Sequence, residues 1–171
     1  MPAAGNTRSN LREDAHRRMA QRGTRCRCIR CREVRGAPVD PNHLIEGDLA
    51  YEAGGGTERF LSLETAGGRL AGYLRLRLPG AEAPDLGWPD LERAAIVRDL
   101  HVYGQTLPLG ENQAGAAQHR GLGTELVARA EAVARGAGFR RLAVISAIGT
   151  RDYYRQRGFE DGELYQVKTL G

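Results

Sequence analysis

A chain of 171 residues accommodates one globular domain with a small appendage and is too short for two separate hydrophobic cores. Apolar residues make up 41% of the chain and charged residues 27%, a composition that excludes general disorder. No stretch approaches the ~20 apolar residues of a membrane span, and the arginine-rich N-terminus lacks the apolar region of a secretory signal. We therefore expect a cytoplasmic protein with no membrane contact.

The net charge of +4 is distributed unevenly along the chain. Residues 1–35 contain ten arginines and three acidic residues, which gives a net charge of +7. The remaining residues contain 15 basic and 18 acidic ones, which gives −3. A basic segment joined to a mildly acidic body is typical of proteins that contact a polyanion, and nucleic acid is the first candidate.

The first predicted element is a helix over residues 11–21, which carries few apolar side chains. Residues 32–34, which follow a cysteine-rich run, are predicted to be extended. Two prolines in residues 36–42 indicate a boundary there. The chain is therefore divided into a helix–strand appendage over residues 1–36 and a body over residues 37–171.

All three cysteines lie in this appendage, as Cys26, Cys28 and Cys31. Cysteines two or three residues apart pair poorly, so a disulfide framework is excluded. Thiolates at this spacing can bind one soft cation, and neighbouring arginines favour the thiolate. We expect a zinc site completed by His43, His101 or water, since an iron–sulfur cluster lacks its usual fourth cysteine. The alternative is three small buried side chains in a strand.

Alternating polarity predicts the strands of the body. Residues 69–78 show it most clearly, because leucines alternate with arginines and a tyrosine. In residues 94–106 the alternation divides the side chains between two faces. One face would hold Ile96, Leu100 and Val102, and the other Val97, Asp99, His101 and Tyr103. The remaining strands are predicted over residues 44–53, 59–64, 142–145 and 164–170.

A glycine-containing loop and an amphipathic helix follow a linker at residues 107–117. The loop spans residues 118–123, and the helix is predicted over residues 124–135. Glycines let a backbone approach a ligand, and the free N–H groups of a helix N-terminus bind anions. The loop is neither a P-loop nor a dinucleotide fingerprint, because it lacks the Gly-Lys-Ser/Thr run and the third glycine. A second helix is predicted over residues 150–156.

The loop, Gln118-His119-Arg120-Gly121-Leu122-Gly123, resembles the Gln/Arg-x-x-Gly-x-Gly/Ala pyrophosphate loop of the GNAT acetyltransferases. Further along, Tyr153-Tyr154-x-x-x-Gly158-Phe159 is similar to the Tyr-x-x-x-Gly-Phe block of that family. The resemblance implies an α/β (α+β) GNAT fold, with a mixed central sheet flanked by helices. It also implies acetyl-CoA as the substrate that donates the acetyl group.

Longer segments resemble the C-terminal acetyltransferase domain of the Elongator catalytic subunit, a family that modifies the wobble uridine of tRNA. They are residues 98–104, residues 143–154 and the cysteine run 26–34, and the similarity extends from Ser9 to Leu170. That family also contains a radical-SAM barrel of roughly 200 residues or more, with a Cys-x-x-x-Cys-x-x-Cys loop. Neither is found here, so we expect a stand-alone relative of the C-terminal half or a truncated gene.

The resemblance implies a role for each matching residue. Main-chain groups of the strand would bind the pantetheine arm and the thioester carbonyl, and these belong to Leu100, His101, Val102 and Tyr103. The pyrophosphate would be bound by Gln118, His119, Arg120, Gly121, Leu122, Gly123 and Thr124. Tyr154 matches the tyrosine that protonates the leaving thiolate and contacts the coenzyme, and Tyr153 is the alternative.

His101 remains open to several interpretations. It shares a predicted strand face with Asp99, so it could act as a base or bind the substrate. It could equally be a core histidine or the fourth metal ligand. The sequence does not choose among these roles.

Three functions remain open. The leading one is an acetyl-CoA-dependent acyltransferase that acts with tRNA, with tRNA-stimulated hydrolysis of acetyl-CoA as a variant. The second is an ordinary N-acetyltransferase for a small amine or a protein lysine. The third is a non-catalytic RNA-binding partner of a separate radical-SAM protein.

Overall fold

The computed structural model describes residues 10–35, 37, 39–103 and 114–171, apart from the side chains of residues 114–120. The chain divides into two compact units, Met1–Glu33 and Val34–Gly171. None of the helices in the described part is long and apolar enough to span a membrane.

From residue 10 onward, the first unit contains two helices, α1 (Leu11–Gln21) and the short α2 (Ile29–Arg32). The predicted helix over residues 11–21 is confirmed. The predicted extended backbone begins at Glu33, whereas Arg32 still belongs to the helical turn that ends the cysteine run. The carbonyl of Cys28 accepts hydrogen bonds from the N–H groups of Cys31 and Arg32, at 3.0 and 3.1 Å. These bonds satisfy the backbone locally, without a strand partner.

The second unit is built on one seven-stranded sheet with the order β1-β2-β3-β4-β5-β7-β6. Only β4 and β5 pair in parallel, and the remaining pairs are antiparallel. This is the mixed sheet that the sequence predicted. The strands are β1 (Ile45–Ala53), β2 (Gly56–Glu64), β3 (Leu70–Pro79), β4 (Ala94–Val102), β5 (Arg141–Val144), β6 (Glu160–Asp161) and β7 (Gln166–Thr169).

The described residues of this unit form two α-helices, α3 (Ala114–Gly136) and α4 (Arg151–Arg155). The apolar stripe of α3, which includes Leu126 and Ala130, packs on β3 and β4. Alternate side chains of the sheet meet it, among them Leu74 and Leu76. Burial of these leucines contributes roughly 1.5–3 kcal/mol each, so the core fixes the position of α3 against the centre of the sheet.

A β-bulge in β4 changes which side chains share a face. Arg75 pairs with Asp99 but Leu76 pairs with Val97, so Arg98 is the extra residue. Val97 therefore joins the core with Leu76, whereas the sequence placed it beside Asp99 and His101. Ile96 moves to the opposite face for the same reason. The two-residue alternation fails here because one inserted residue exchanges the two faces of the strand on either side of the bulge.

The helix that follows β4 is longer than the sequence predicted. It begins at Ala114 and not at residue 124, so the whole glycine-containing segment lies within its first turns. Three alanines in residues 114–117 favour the extension, because alanine has the highest helix propensity, although Gly115 between them opposes it. The earlier part of the predicted linker, residues 107–113, lies outside the described residues.

Candidate functional site

The central feature of the site is a gap between β4 and β5. The two strands pair only over Ala94–Val97 and Arg141–Val144, and β4 then continues to Val102 without its neighbour. Main-chain N–H and C=O groups on that side of β4 have no strand partner in the described chain. Such an edge can bind an extended ligand as if it were another strand.

Alternation along β4 decides which main-chain groups face this gap. The N–H of Tyr103 donates to the carbonyl of Ala71 on β3, at 2.8 Å. In an antiparallel ladder, successive residues direct their groups to opposite sides. Leu100 and Val102 therefore face the gap, as expected for a pantetheine arm. The main-chain groups of His101 and Tyr103 face β3 instead.

The predicted pyrophosphate loop has a helical backbone in this structure. In an α-helix that starts at Ala114, the N–H groups of Gly121 and later residues bond to carbonyls four residues earlier. Their N–H groups are therefore occupied, and the predicted cradle forms only if the first turns open. The side chains of Gln118, His119 and Arg120 lie outside the part that the structure describes.

The two glycines of this segment have different surroundings. A Cβ built on Gly121 would meet nothing within 4 Å, whereas one on Gly123 would lie 2.4 Å from the hydroxyl of Tyr153. Leu122 is buried in the core, and Thr124 is exposed. Gly123 is therefore required by the packing of α4 against α3, a reason that the sequence motif does not reveal.

Arg157 is a site residue that the sequence analysis missed. Its guanidinium lies 3.4 Å from the ring centre of Tyr153 and donates to the hydroxyl of Thr124 at 2.6 Å. It also donates to the carbonyl of Tyr153 at 2.6 Å. A cation is thus held beside the glycine-containing segment. The only signal of Arg157 in the sequence is its position directly before Gly158.

The adjacent tyrosines of α4 occupy different environments. Tyr154 is only 6% exposed and makes an edge-to-face contact with Phe159, at 5.5 Å between ring centres. Burial, with a smaller contribution from Tyr153, raises the pKa of Tyr154 to about 12. Tyr153 is half-buried, and burial raises its pKa as well. Both tyrosines therefore hold their protons at neutral pH.

The face of β4 away from α3 carries a row of polar and aromatic side chains. Asp99 accepts a hydrogen bond from the buried Tyr73 hydroxyl at 2.8 Å, and burial together with this bond raises the pKa of Tyr73. The exposed His101 ring lies between Tyr73 and Tyr103, with ring centres 6.0 and 4.5 Å apart. The interpretation of His101 as a core histidine is therefore wrong.

The first unit contains a second cluster, formed by thiols and one imidazole. Ligand atoms of His16, Cys26 and Cys31 all lie within 4.8 Å of one another. The Cys31 thiol is 3.4 Å from Nε2 of His16. His16 comes from α1 and was not among the predicted ligands. The expected contributors His43 and His101 belong to the second unit and are not in this cluster.

Hydrogen bonds and desolvation shift the pKa values of Cys28 and Cys31 in opposite directions. A hydrogen bond with the Cys26 thiol, assisted by the N–H of Cys31, lowers the pKa of Cys28 to about 6. Desolvation, followed by contacts with the other two thiols, raises the pKa of Cys31. Arg12 donates to the Cys31 sulfur at 3.0 Å. The cluster thus combines soft ligand atoms with a cation that favours the thiolate form.

Comparisons with known proteins agree with this geometry. Residues 32–159 match the acetyltransferase (GNAT) family. The chain is 43% identical over 168 residues to a tRNA uridine(34) acetyltransferase of Dehalococcoides mccartyi, covering 95% of this chain and 36% of that protein. It is 41% identical to Elongator complex protein 3 of Danio rerio, covering 98% of this chain and 31% of that protein.

A solved structure is similar as well. It is the archaeal Methanocaldococcus infernus Elp3 with an N-terminal deletion, with a TM-score of 0.78 and 38% identity. The match covers 95% of this chain and 40% of that one. The chain spans about a third of the length of the curated relatives it matches.

Proposed function

The chain belongs to the acetyltransferase (GNAT) family, and from this we propose that it uses acetyl-CoA in a reaction linked to tRNA. The observation that carries the proposal is the gap between β4 and β5, where the edge of β4 from Arg98 to Val102 is not paired with β5. The link to tRNA is supported by relatives whose names specify acetylation at tRNA uridine 34.

Residues at the gap account for acetyl transfer. The main chains of Leu100 and Val102 would bond to the pantetheine arm and to the thioester oxygen. Backbone donors aimed at a developing oxyanion lower an acyl-transfer barrier by ~3–4 kcal/mol each. Tyr154 keeps its proton at neutral pH and would donate it to the thiolate that leaves when the acetyl–sulfur bond breaks.

Binding of the pyrophosphate requires the first turns of α3 to open. The N–H groups of Gly121 and Gly123 bond within the helix in this structure, and they become anion ligands only when those bonds break. Glycine favours such opening, because it is a poor helix former. Arg157, held next to Thr124, would supply positive charge to the phosphates.

The cluster of the first unit fits a zinc ion. Zinc with ~2.3 Å bonds to sulfur places tetrahedral ligands about 3.8 Å apart, close to the spacing of these atoms. Cys26, Cys28, Cys31 and His16 would then supply a Cys₃His set. The ion would fix α1 to the cysteine turn and stabilise the basic unit that contacts tRNA.

The tRNA contact is assigned to the basic segment. Arg27 and Arg30 are both exposed, and residues 1–35 have a net charge of +7, whereas the rest of the chain has −3. A separate radical-SAM protein would act as a partner, because the family that the chain resembles needs such a domain for its base chemistry. The cytoplasm is the compartment in which these partners would meet.

The deciding experiment is a titration with acetyl-CoA, with and without tRNA, that also records hydrolysis. We expect acetyl-CoA to bind in the absence of tRNA. We also expect tRNA to stimulate the hydrolysis of acetyl-CoA. The double variant Arg27→Gln/Arg30→Gln should lose the stimulation and reduce the slope of log affinity against log salt by about two. Arg69→Gln/Arg140→Gln removes the same charge from exposed positions of the second unit and should change neither.

Two outcomes would contradict the proposal. An unstimulated protein that acetylates a small amine would identify an ordinary N-acetyltransferase. A protein that binds tRNA but shows no acetyl-CoA binding would identify a non-catalytic RNA-binding module.

A further inference from the structure

The two edges of the seven-stranded sheet differ in length and in chemistry. One edge is β6, which has only two residues, both acidic. The other edge is β1, whose nine residues include no proline, lysine or arginine. Natural sheets protect an edge by shortening it, or by placing prolines and charged side chains along it, lysine above all. β6 shows such protection, whereas β1 is a long edge that another strand can join.

The main chain of β1 offers hydrogen-bonding groups on its outer side. Gly54 and Gly55, both with positive φ, form a two-residue turn that joins the paired residues Ala53 and Gly56. The residues that flank such a turn exchange main-chain hydrogen bonds, and the direction then alternates along the strand. The even-numbered residues of β1 therefore point their N–H and C=O groups away from β2, where the described chain has no strand. They are Glu46, Asp48, Ala50 and Glu52.

One face of β1 is apolar and exposed. Asp48 pairs with the core residue Leu61, so the even-numbered side chains lie on the same face of the sheet as α3 and the odd-numbered ones on the opposite face. The odd-numbered positions carry no charge. Three of them are large apolar side chains exposed to solvent, Ile45, Leu49 and Tyr51. Three such side chains on one edge strand indicate a surface that another molecule covers.

The charges on the other face of β1 are mostly paired within the chain. Glu46 lies 3.2 Å from Arg129 of α3. Asp48 accepts a hydrogen bond from Arg59 at 2.8 Å. Two of the three acidic side chains of β1 thus have a cation of their own, so the strand does not need a basic partner to neutralise it. This pairing favours a second copy of β1 over a basic peptide as the molecule that covers the edge.

We infer that β1 pairs antiparallel with β1 of a second copy of this chain, so that the two sheets join along this edge. In such a pair the outward main-chain groups of each strand bond to those of the other. A two-fold axis through Asp48 places Ile45 of each copy opposite Tyr51 of the other. A β-branched side chain opposite an aromatic one stabilises a sheet, and two such pairs form. Apolar surface that is exposed in the single chain is thereby removed from water.

This register also keeps the acidic side chains apart. Glu46 of each copy lies opposite Ala50 of the other. Asp48 faces its counterpart, and each of the two has its own arginine. An axis through Leu49 would instead place Glu46 opposite Glu52 twice, and like charges directly opposite each other destabilise a sheet. The register through Asp48 is therefore the preferred one.

The interface is separate from the gap between β4 and β5. In the order of the sheet, β2 and β3 lie between β1 and β4. Association through β1 therefore leaves the gap open in both copies. The inference does not rest on the proposed function, because neither acetyl-CoA nor tRNA contributes to this edge.

Sedimentation equilibrium of the full chain tests the inference, with a reductant present so that the cysteines do not crosslink. One strand from each copy gives an interface at the low end of the usual size range, about 1,200 Å² in total or less. We therefore expect a reversible dimer with a Kd on the order of 10–100 μM, which dissociates on dilution. A protein that stays monomeric up to ~0.5 mM would overturn the inference and assign the edge to a strand of another protein.

Two pairs of variants locate the interface. Leu49→Lys places a charge on the apolar face of β1 and should weaken the dimer about tenfold or more. Leu86 is exposed to the same degree, 60% against 62% for Leu49, but lies outside β1, so Leu86→Lys should leave the dimer unchanged. Ala50→Pro removes an outward N–H without removing a bond to β2, and it should also weaken the dimer. Ala50→Ser keeps that N–H and should not.

Circular dichroism and thermal unfolding of each variant show that it is folded. A dimer that is equally strong in folded Leu49→Lys and in the wild type would mean that the copies associate through another surface, and it would overturn the inference. If Ala50→Pro does not fold, the comparison of Leu49→Lys with Leu86→Lys still decides. Acetyl-CoA affinity should be the same in the wild type and in folded Leu49→Lys, so the test of this interface is independent of the test of the coenzyme site.

Discussion

Replacing Gly121 with alanine should make the protein more stable and should weaken its binding of acetyl-CoA. Gly121 is exposed within α3, and its new Cβ would meet nothing within 4 Å. Alanine is about 0.8–1 kcal/mol more favourable than glycine in a helix interior. The free energy of unfolding should rise by about that amount, which raises Tm by roughly 2–4 °C for a chain of this size.

The same substitution opposes the opening that the coenzyme requires. If the binding-competent form has open first turns, a closed helix that is about 1 kcal/mol more stable weakens the apparent affinity about fivefold. The Cβ also blocks approach of the backbone to the pyrophosphate, so the total loss should exceed that factor. Thermal denaturation and isothermal titration of the same preparation measure the two opposite effects.

Two glycines of the same helix serve as comparisons. Gly136 ends α3, and a Cβ there also meets nothing within 4 Å, so Gly136→Ala should leave acetyl-CoA affinity unchanged. Gly123→Ala should lower stability, because its Cβ collides with the Tyr153 hydroxyl. A Gly121→Ala protein that is stabilised yet binds acetyl-CoA like the wild type would refute the pyrophosphate assignment and the required opening.

Two further predictions concern the metal and pH. Protein prepared without added metal should hold about one zinc per chain. Elemental analysis should show less zinc in His16→Ala but an unchanged amount in the control His43→Ala. Equal zinc in the two variants would exclude His16 as a ligand. For Tyr154, the folded-state pKa of about 12 lies above the ordinary value of 10, so its stabilising contribution is complete below pH 10 and is lost as the pH rises toward 12. Between pH 9 and 11 the unfolding free energy of the wild type should fall by about 1.3 kcal/mol relative to Tyr154→Phe, and parallel curves in chemical denaturation would contradict this.

Local patterns in the sequence were sufficient to predict the strands and helices whose side chains face the core at regular intervals. The alternation in β3 and the apolar stripe of α3 predicted strand and helix, because each side chain faces the core at the period of its own element. The spacing of Cys26, Cys28 and Cys31 also predicted that the three thiols lie together, because residues so near in sequence are near in space. The motifs around Gly121 and Tyr154 identified the family.

Tertiary structure decided what depends on one inserted residue or on distant segments. The bulge at Arg98 reverses the alternation of β4, and no periodic pattern contains such an insertion. Packing of α4 on α3 directs Tyr153 toward Gly123 and Tyr154 into the core, although the two tyrosines are neighbours in sequence. His16 reaches the cysteines from α1, and Glu58 meets Arg98 across 40 residues. These contacts join residues that are well separated in sequence, so their geometry is absent from any short stretch of it.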